Sequence, residues 1–128
     1  MTAPSWVDSV VGEFGQSAGL GRISLGEKGV AALSFQNGLV LHLEHAFDSL
    51  FVTMTVPTRL DAASAARLLG YAHPDAHFAF RLRTGYIAKS GRAVFAVKIA
   101  DRDVTLPAVN AAFAFLWRLA MEFGGVSS

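Results

Sequence analysis

Cysteine is absent from the chain, so neither disulfide bonds nor thiolate metal sites are available to it, and a reducing compartment such as the cytoplasm is expected. Charged residues make up 16% of the chain, against about 25% in average soluble domains, and the formal net charge of +1 predicts no nucleic acid partner. The long uncharged stretch at residues 104–117 is shorter than the roughly 20 residues of a membrane span. The first residues carry neither a basic segment nor an apolar core, so we expect no secretory signal and no membrane insertion.

Apolar side chains, in contrast, are in excess. Hydrophobic residues account for 52% of the sequence and aromatic residues for 11%. A length of 128 residues suits one domain with one core, so we expect a single domain over residues 1–128. Such a domain needs fewer apolar side chains than are present. The surplus therefore predicts self-association, an apolar partner, or both.

Three short strands are predicted between residues 30 and 56. Residues 31–36 and 39–45 alternate apolar and polar side chains, and Asn37-Gly38 between them is typical of a tight hairpin turn. Residues 50–56 alternate in the same way. These patterns predict an antiparallel meander with one apolar face that other elements must cover.

Helical periodicity is found on both sides of this meander. Ser5, with Asp8 three residues later, predicts a helix start by a shortened capping box, and Gly15 or Gly19 is expected to end that helix. An alanine-rich helix over residues 62–69, capped by Asp61, follows the meander and stops at Gly70.

A second sheet region and a last helix complete the predicted fold. Residues 77–83 and 93–99 alternate, with turns expected around Gly85 and at Ser90-Gly91. The last helix is expected from about Leu106 to Phe123, with Thr105 as its cap, and its apolar stripe is wide enough to predict extensive burial. The order α-βββ-α-ββ(β)-α predicts an α+β domain with helices against an antiparallel sheet.

No catalytic or metal-binding constellation is found. Residues 15–19 match the G-x-S-x-G pattern of serine hydrolases, but they follow a helix, whereas that motif needs a strand-to-helix turn. His42 and His45 are expected on opposite faces of a strand, and nothing brings His73 and His77 to a common ion. We therefore predict no enzyme activity, no catalytic residue, no bound metal and no cofactor.

A local excess of positive charge lies in the second half of the chain. It is interpreted either as a solvated sheet face or as a site for an anionic partner. Its members are Arg81, Arg83, Lys89, Arg92, Lys98 and Arg102.

Several short patterns occur in an order that is familiar as a whole. They are Phe14-Gly15 before Gly19-Leu20, residues 25–29 leading into Leu33-Ser34-Phe35, residues 39–43, Asp48-Ser49-Leu50, Leu68-Leu69 and Phe113-x-x-x-Trp117. With this order the chain resembles the small dimeric class I chaperones of bacterial type III secretion, the Tir-chaperone-like family. The charge is a departure, because that family is usually acidic whereas the pI of this sequence is about 8.2.

The resemblance implies a cytoplasmic bacterial homodimer that acts without nucleotide. It would bind the N-terminal segment of a secreted effector and keep it extended and competent for export, with the export ATPase as a further candidate partner. Two alternatives stay open: a dimeric scaffold or regulatory module of the same fold, and a small-ligand or enzyme domain with an enclosed polar pocket.

Two sets of site residues follow from these considerations. The first helix and first strands are predicted to line apolar grooves for the partner chain through Trp6, Val10, Phe14, Leu33, Phe35 and Leu41. The small-residue second helix and the neighbouring strand are predicted to form the dimer interface through Leu68, Leu69, Tyr71, Phe78 and Phe80.

Overall fold

The computed structural model describes residues 3–58, 61–71 and 81–124. Its elements are α1 (Ser5–Ser17), β1 (Val30–Ser34), β2 (Val40–Ala46), β3 (Ser49–Pro57), α2 (Ala62–Tyr71), β4 (Leu82–Ile87), β5 (Arg92–Ala100), a short 3₁₀ turn (Asp101–Asp103) and α3 (Leu106–Gly124). The predicted α+β order is confirmed. None of the helices in these ranges combines the length and the hydropathy that crossing a membrane would require.

The five described strands form one antiparallel sheet in the order β1-β2-β3-β5-β4. Leu41 pairs with Met54, and Met54 pairs with Phe95, so that three fully buried side chains cross the centre of the sheet. The predicted alternation of the meander is confirmed, because leucines of β2 and the apolar residues of β3 share this core face. The opposite face, called the outer face here, carries Ala32, Val40, His42, Glu44, Phe51, Thr53, Thr55, Arg83, Gly85, Ile87, Arg92, Val94, Ala96 and Lys98.

Helices α1 and α3 cover the core face. Phe14 of α1 meets Phe113 of α3 edge to face, with ring centroids 5.4 Å apart, and Phe95 of β5 meets Phe123 of α3 at the same distance. One hydrophobic core therefore joins both helices to the sheet. No described helix packs on the outer face, whose side chains are mostly half-buried or exposed.

The start of α1 differs from the prediction. Ser5 is the first helical residue, Pro4 occupies the N-cap position, and no side chain caps the helix. The Asp8 carboxylate accepts a hydrogen bond from the backbone N–H of Leu25 at 2.8 Å instead. Asp8 is therefore used to fasten the connection between α1 and β1, a long-range contact that local spacing does not reveal.

The end of α1 is a Schellman motif. Gly19 has a φ of 74°, its N–H bonds the carbonyl of Gln16, and the N–H of Leu20 bonds the carbonyl of Gly15. Gly15 thus does not stop the helix. It lies in the last turn, where a Cβ would collide with the carbonyl of Gly21 and would lie 2.6 Å from the Ile23 side chain.

The caps of the other helices are confirmed. Asp61 accepts a hydrogen bond from the Ser64 N–H at 2.8 Å, and Thr105 accepts one from the Ala108 N–H at 3.2 Å. The turn predicted around Gly85 is wrong. Gly85 pairs with Val94 inside β4, and the chain turns only after Ile87.

Candidate docking groove

An apolar groove of about 700 Å³ lies between the end of α1, the end of β1 and one face of α3. Its apolar wall is formed by Leu20, Phe35, Phe113, Trp117 and Met121. Leu20 reaches the groove because the Schellman motif turns the chain back along α1. Phe35 reaches it because the residue follows β1 directly.

The rings of this wall support one another. Phe35 meets Trp117 edge to face, with centroids 5.1 Å apart and planes at 80°, and Phe113 lies 5.8 Å from Trp117. Behind them, Phe14 holds Phe113 from the core side. Aromatic pairs in these geometries are favourable beyond their buried area, so the wall has a defined shape before any partner binds.

The groove lies beside an edge of the sheet. β1 pairs only with β2 among the described strands, so one side of its backbone has no strand neighbour there. An edge strand presents N–H and C=O groups to which an extended peptide can add. The rim of the groove is polar, with Arg118 and Glu122 at its α3 side. Main-chain pairing sites and an apolar wall thus lie together.

Only one of the six predicted partner-binding residues, Phe35, lines this groove. Trp6 lies at the start of α1 with 47% of its surface exposed, and Val10 and Leu33 are half-buried against the core. These three remain candidates for contact beside the groove.

Phe14 and Leu41 are fully buried in the core, and the contact role predicted for them needs correction. Leu41 lies on β2, an interior strand whose core face is covered by helices, and Phe14 points from α1 into the same core. Both side chains can support the groove only from behind.

The sequence reasoning missed the α3 residues of the groove. Phe113, Trp117 and Met121 are spaced by four residues and therefore share a helix face. The apolar stripe of α3 is wider than packing on the sheet requires, and this width was the sequence signal for a second apolar contact. Buried residues such as Leu116 and Ala120 occupy the neighbouring face, which packs on the sheet.

The residues predicted for the dimer interface separate into two environments. Leu69 on α2 is 72% exposed, whereas Leu68 is only 6% exposed and its carbonyl accepts a hydrogen bond from the Thr84 hydroxyl. The Tyr71 side chain, Phe78 and Phe80 lie outside the described residues. The exposed side of α2 also carries small residues, namely Ala62, Ala63, Ala66 and Gly70.

Two of the side chains considered for catalysis or metal binding, those of Ser17 and His45, have local structural partners, and His73 and His77 lie outside the described residues. The Ser17 hydroxyl lies in the last turn of α1, 3.0 Å from the Phe14 carbonyl oxygen and 3.2 Å from Asn110 Oδ1. His45 Nε2 lies 2.8 Å from Asp101 Oδ1 at the end of the sheet. Within the described ranges no three histidine or carboxylate groups are placed to hold one metal ion.

Comparisons with known proteins agree with this fold. The profile of the type III secretory system chaperone SycN family matches residues 6–123. No curated protein sequence matches the chain significantly. Several solved structures share the fold, and the following three are complexes.

The first, the ExsC-ExsE complex, contains a chain 23% identical to this one, with a TM-score of 0.80 over 98% of this chain and 96% of that one. The second is the HopA1-SchA chaperone-effector complex, with 14% identity and a TM-score of 0.71 over 97% of this chain and 99% of that one. The third is the Yersinia pestis type III secretion chaperone SycH with a stable fragment of YscM2. It has 16% identity and a TM-score of 0.71 over 91% of this chain and 98% of that one. The family match spans nearly the whole domain that carries the groove, and the chain therefore belongs to the type III secretory system chaperone SycN family.

Proposed function

We propose that this type III secretion chaperone binds an extended N-terminal segment of a secreted effector and keeps it competent for export. The observation that carries the proposal is the apolar groove beside the free edge of β1. Proteins of similar fold are held in complexes, among them the HopA1-SchA chaperone-effector complex and the type III secretion chaperone SycH with a stable fragment of YscM2.

The proposed mode of binding combines two kinds of contact. The effector backbone adds to β1 through main-chain hydrogen bonds, and its apolar side chains enter the groove against Phe35, Phe113 and Trp117. Burial of apolar surface contributes roughly 25 cal/mol per Å², so a few inserted side chains supply most of the affinity. The bound segment is then protected from aggregation, because its apolar residues and strand edge are covered.

We further propose that the chaperone is a single-domain cytoplasmic homodimer without enzyme activity or cofactor. The exposed Leu69 on a face of small residues supports α2 as the dimer contact, since small side chains let a second backbone approach closely. The apolar lining of the groove, with charge only at Arg118 and Glu122, favours a polypeptide over a small polar ligand.

Capture from the cytosol of the source bacterium tests the proposal. The wild-type chain, a Trp117→Glu variant and a Phe47→Glu control are used as baits, and the bound proteins and protected segments are identified. Phe47 is 90% exposed at the β2–β3 turn and lies away from the groove. We expect wild type and control to retain an N-terminal segment of a secreted protein, and the groove variant, folded by circular dichroism, to lose it.

Equal capture by all three baits would refute the groove as the binding site. Protection of a segment far from the N-terminus of the captured protein would refute the proposed segment. Capture of proteins that are never secreted would favour the scaffold alternative of the same fold.

A further inference from the structure

We propose that the outer face of the sheet binds an acidic side chain of a partner polypeptide in a small basic pocket. The pocket, of about 150 Å³, is lined by Phe51, Arg81, Arg83, Ala96 and Lys98, with the β5 backbone at Val97. It lies on the face of the sheet opposite α1 and α3, so it is separate from the docking groove.

The strand order creates this pocket. Because β5 is inserted between β3 and β4, Phe51 pairs with Lys98 on one side of β5, and Arg83 pairs with Ala96 on the other. The small side chain of Ala96 leaves a depression between the longer ones. Arg81 lies just before β4 and adds a third cation to the wall.

The structure divides the six cations of the basic stretch into two groups. The Arg92 guanidinium donates a hydrogen bond to Thr55 Oγ1 at 2.8 Å and is engaged within the sheet. Lys89 lies in the turn between β4 and β5, and Arg102 lies 3.9 Å from Asp103 in the 3₁₀ turn. The remaining three, Arg81, Arg83 and Lys98, converge on the pocket.

Within the described ranges these three cations have no ion-pair partner. All three are exposed, and none forms an ion pair or hydrogen bond with another described residue. Glu44 of β2 is an acidic residue of the outer face, but Phe51 of β3 lies between it and Lys98 of β5, so that the two backbones are two strand spacings, about 10 Å, apart. An anion placed among the three would relieve their mutual repulsion.

The chemistry of the pocket favours a carboxylate on a polypeptide. Guanidinium groups bind carboxylates in paired hydrogen bonds, and the Phe51 ring can contact the methylene groups of a glutamate. Val94 and Ile87 add apolar side chains to the same outer face, which suits apolar neighbouring residues of an extended peptide. Three cations are too few for the phosphate track that nucleic acid binding uses.

A synthetic peptide tests this inference without any knowledge of the effector. The full chain, labelled with ¹⁵N, is titrated with the blocked peptide Val-Glu-Thr-Glu-Val and with its counterpart Val-Gln-Thr-Gln-Val. We expect amide shifts confined to residues 51, 81–83 and 96–98, and affinity about tenfold weaker for the glutamine peptide, since charge-assisted hydrogen bonds are lost. Raised salt should weaken binding of the glutamate peptide but not of the glutamine peptide.

Two variants and a matched control locate the site. Arg83→Gln and Lys98→Gln should each weaken glutamate peptide binding about tenfold, whereas Lys89→Gln, the same change at the far end of the β4–β5 hairpin, should leave it unchanged. Trp117→Glu should also leave it unchanged, so that failure of the groove proposal does not affect this test.

Five results would overturn the inference. Equal binding of the two peptides would show that the carboxylates are not recognised. A loss of peptide binding in Lys89→Gln as large as in Arg83→Gln would show that the pocket is not the specific site. Inorganic phosphate producing the same shifts at lower concentration would indicate a site for free anions. A change in sedimentation of Arg83→Gln without peptide would assign the surface to a second copy of the chain, and tighter binding of an oligouridine would assign it to nucleic acid.

Discussion

Gly15 is the position where a single added methyl group should do most damage to α1. A Cβ there would overlap the Gly21 carbonyl oxygen and would lie 2.6 and 2.9 Å from two carbons of the Ile23 side chain. The connection that follows α1 packs directly on the helix at this point. We therefore expect Gly15→Ala to displace this connection and, with it, Leu20 on the wall of the docking groove.

The sign of the effect is decided by two opposing terms. Alanine is favoured over glycine inside a helix by about 1 kcal/mol, whereas overpacking a dense site costs about 1–3 kcal/mol. Here the obstacle includes a backbone carbonyl, which cannot rotate away as a flexible side chain can. The cost should therefore exceed the gain, and the free energy of unfolding should fall by up to about 2 kcal/mol.

Gly12→Ala provides the matched control on the same helix. A Cβ at Gly12 would lie 3.2 Å from the end of the exposed Arg22 side chain, which can move aside. This variant should be as stable as wild type or more stable by up to about 1 kcal/mol. Urea unfolding of both variants at one protein concentration measures the difference. A Gly15→Ala protein as stable as Gly12→Ala would refute the close-packing argument.

Three further predictions concern single side chains. Leu69→Glu should dissociate the proposed dimer in sedimentation while circular dichroism stays unchanged, whereas Leu68→Glu should unfold the chain, because it buries an unpaired charge. Ser17→Ala should leave effector capture intact and change the free energy of unfolding in urea by less than about 1 kcal/mol; loss of capture would contradict its structural role. Asp8→Ala should lower that free energy by about 1–2 kcal/mol, since the N–H of Leu25 loses its acceptor. An unchanged midpoint of urea unfolding would contradict this.

The sequence by itself determined the local elements and their order. The alternation of residues 39–45 and 50–56 and the caps at Asp61 and Thr105 are read over a few neighbouring positions, and all recur in the structure. The sequence also allowed the family to be predicted, because the short patterns typical of it occur in that order along the chain. These features depend on periods of two or 3.6 residues, which a single strand or helix shows without its neighbours.

Only the tertiary structure decided which side chains share a surface. Phe14 and Leu41 looked like partner contacts, yet the covering helices bury them, while Phe113 and Trp117 remain on the groove. Likewise, the placement of β5 beside β3 selects three of six cations for one pocket. Strand order and helix packing join residues far apart in sequence, so no local pattern encodes which faces end up covered and which stay open to a partner.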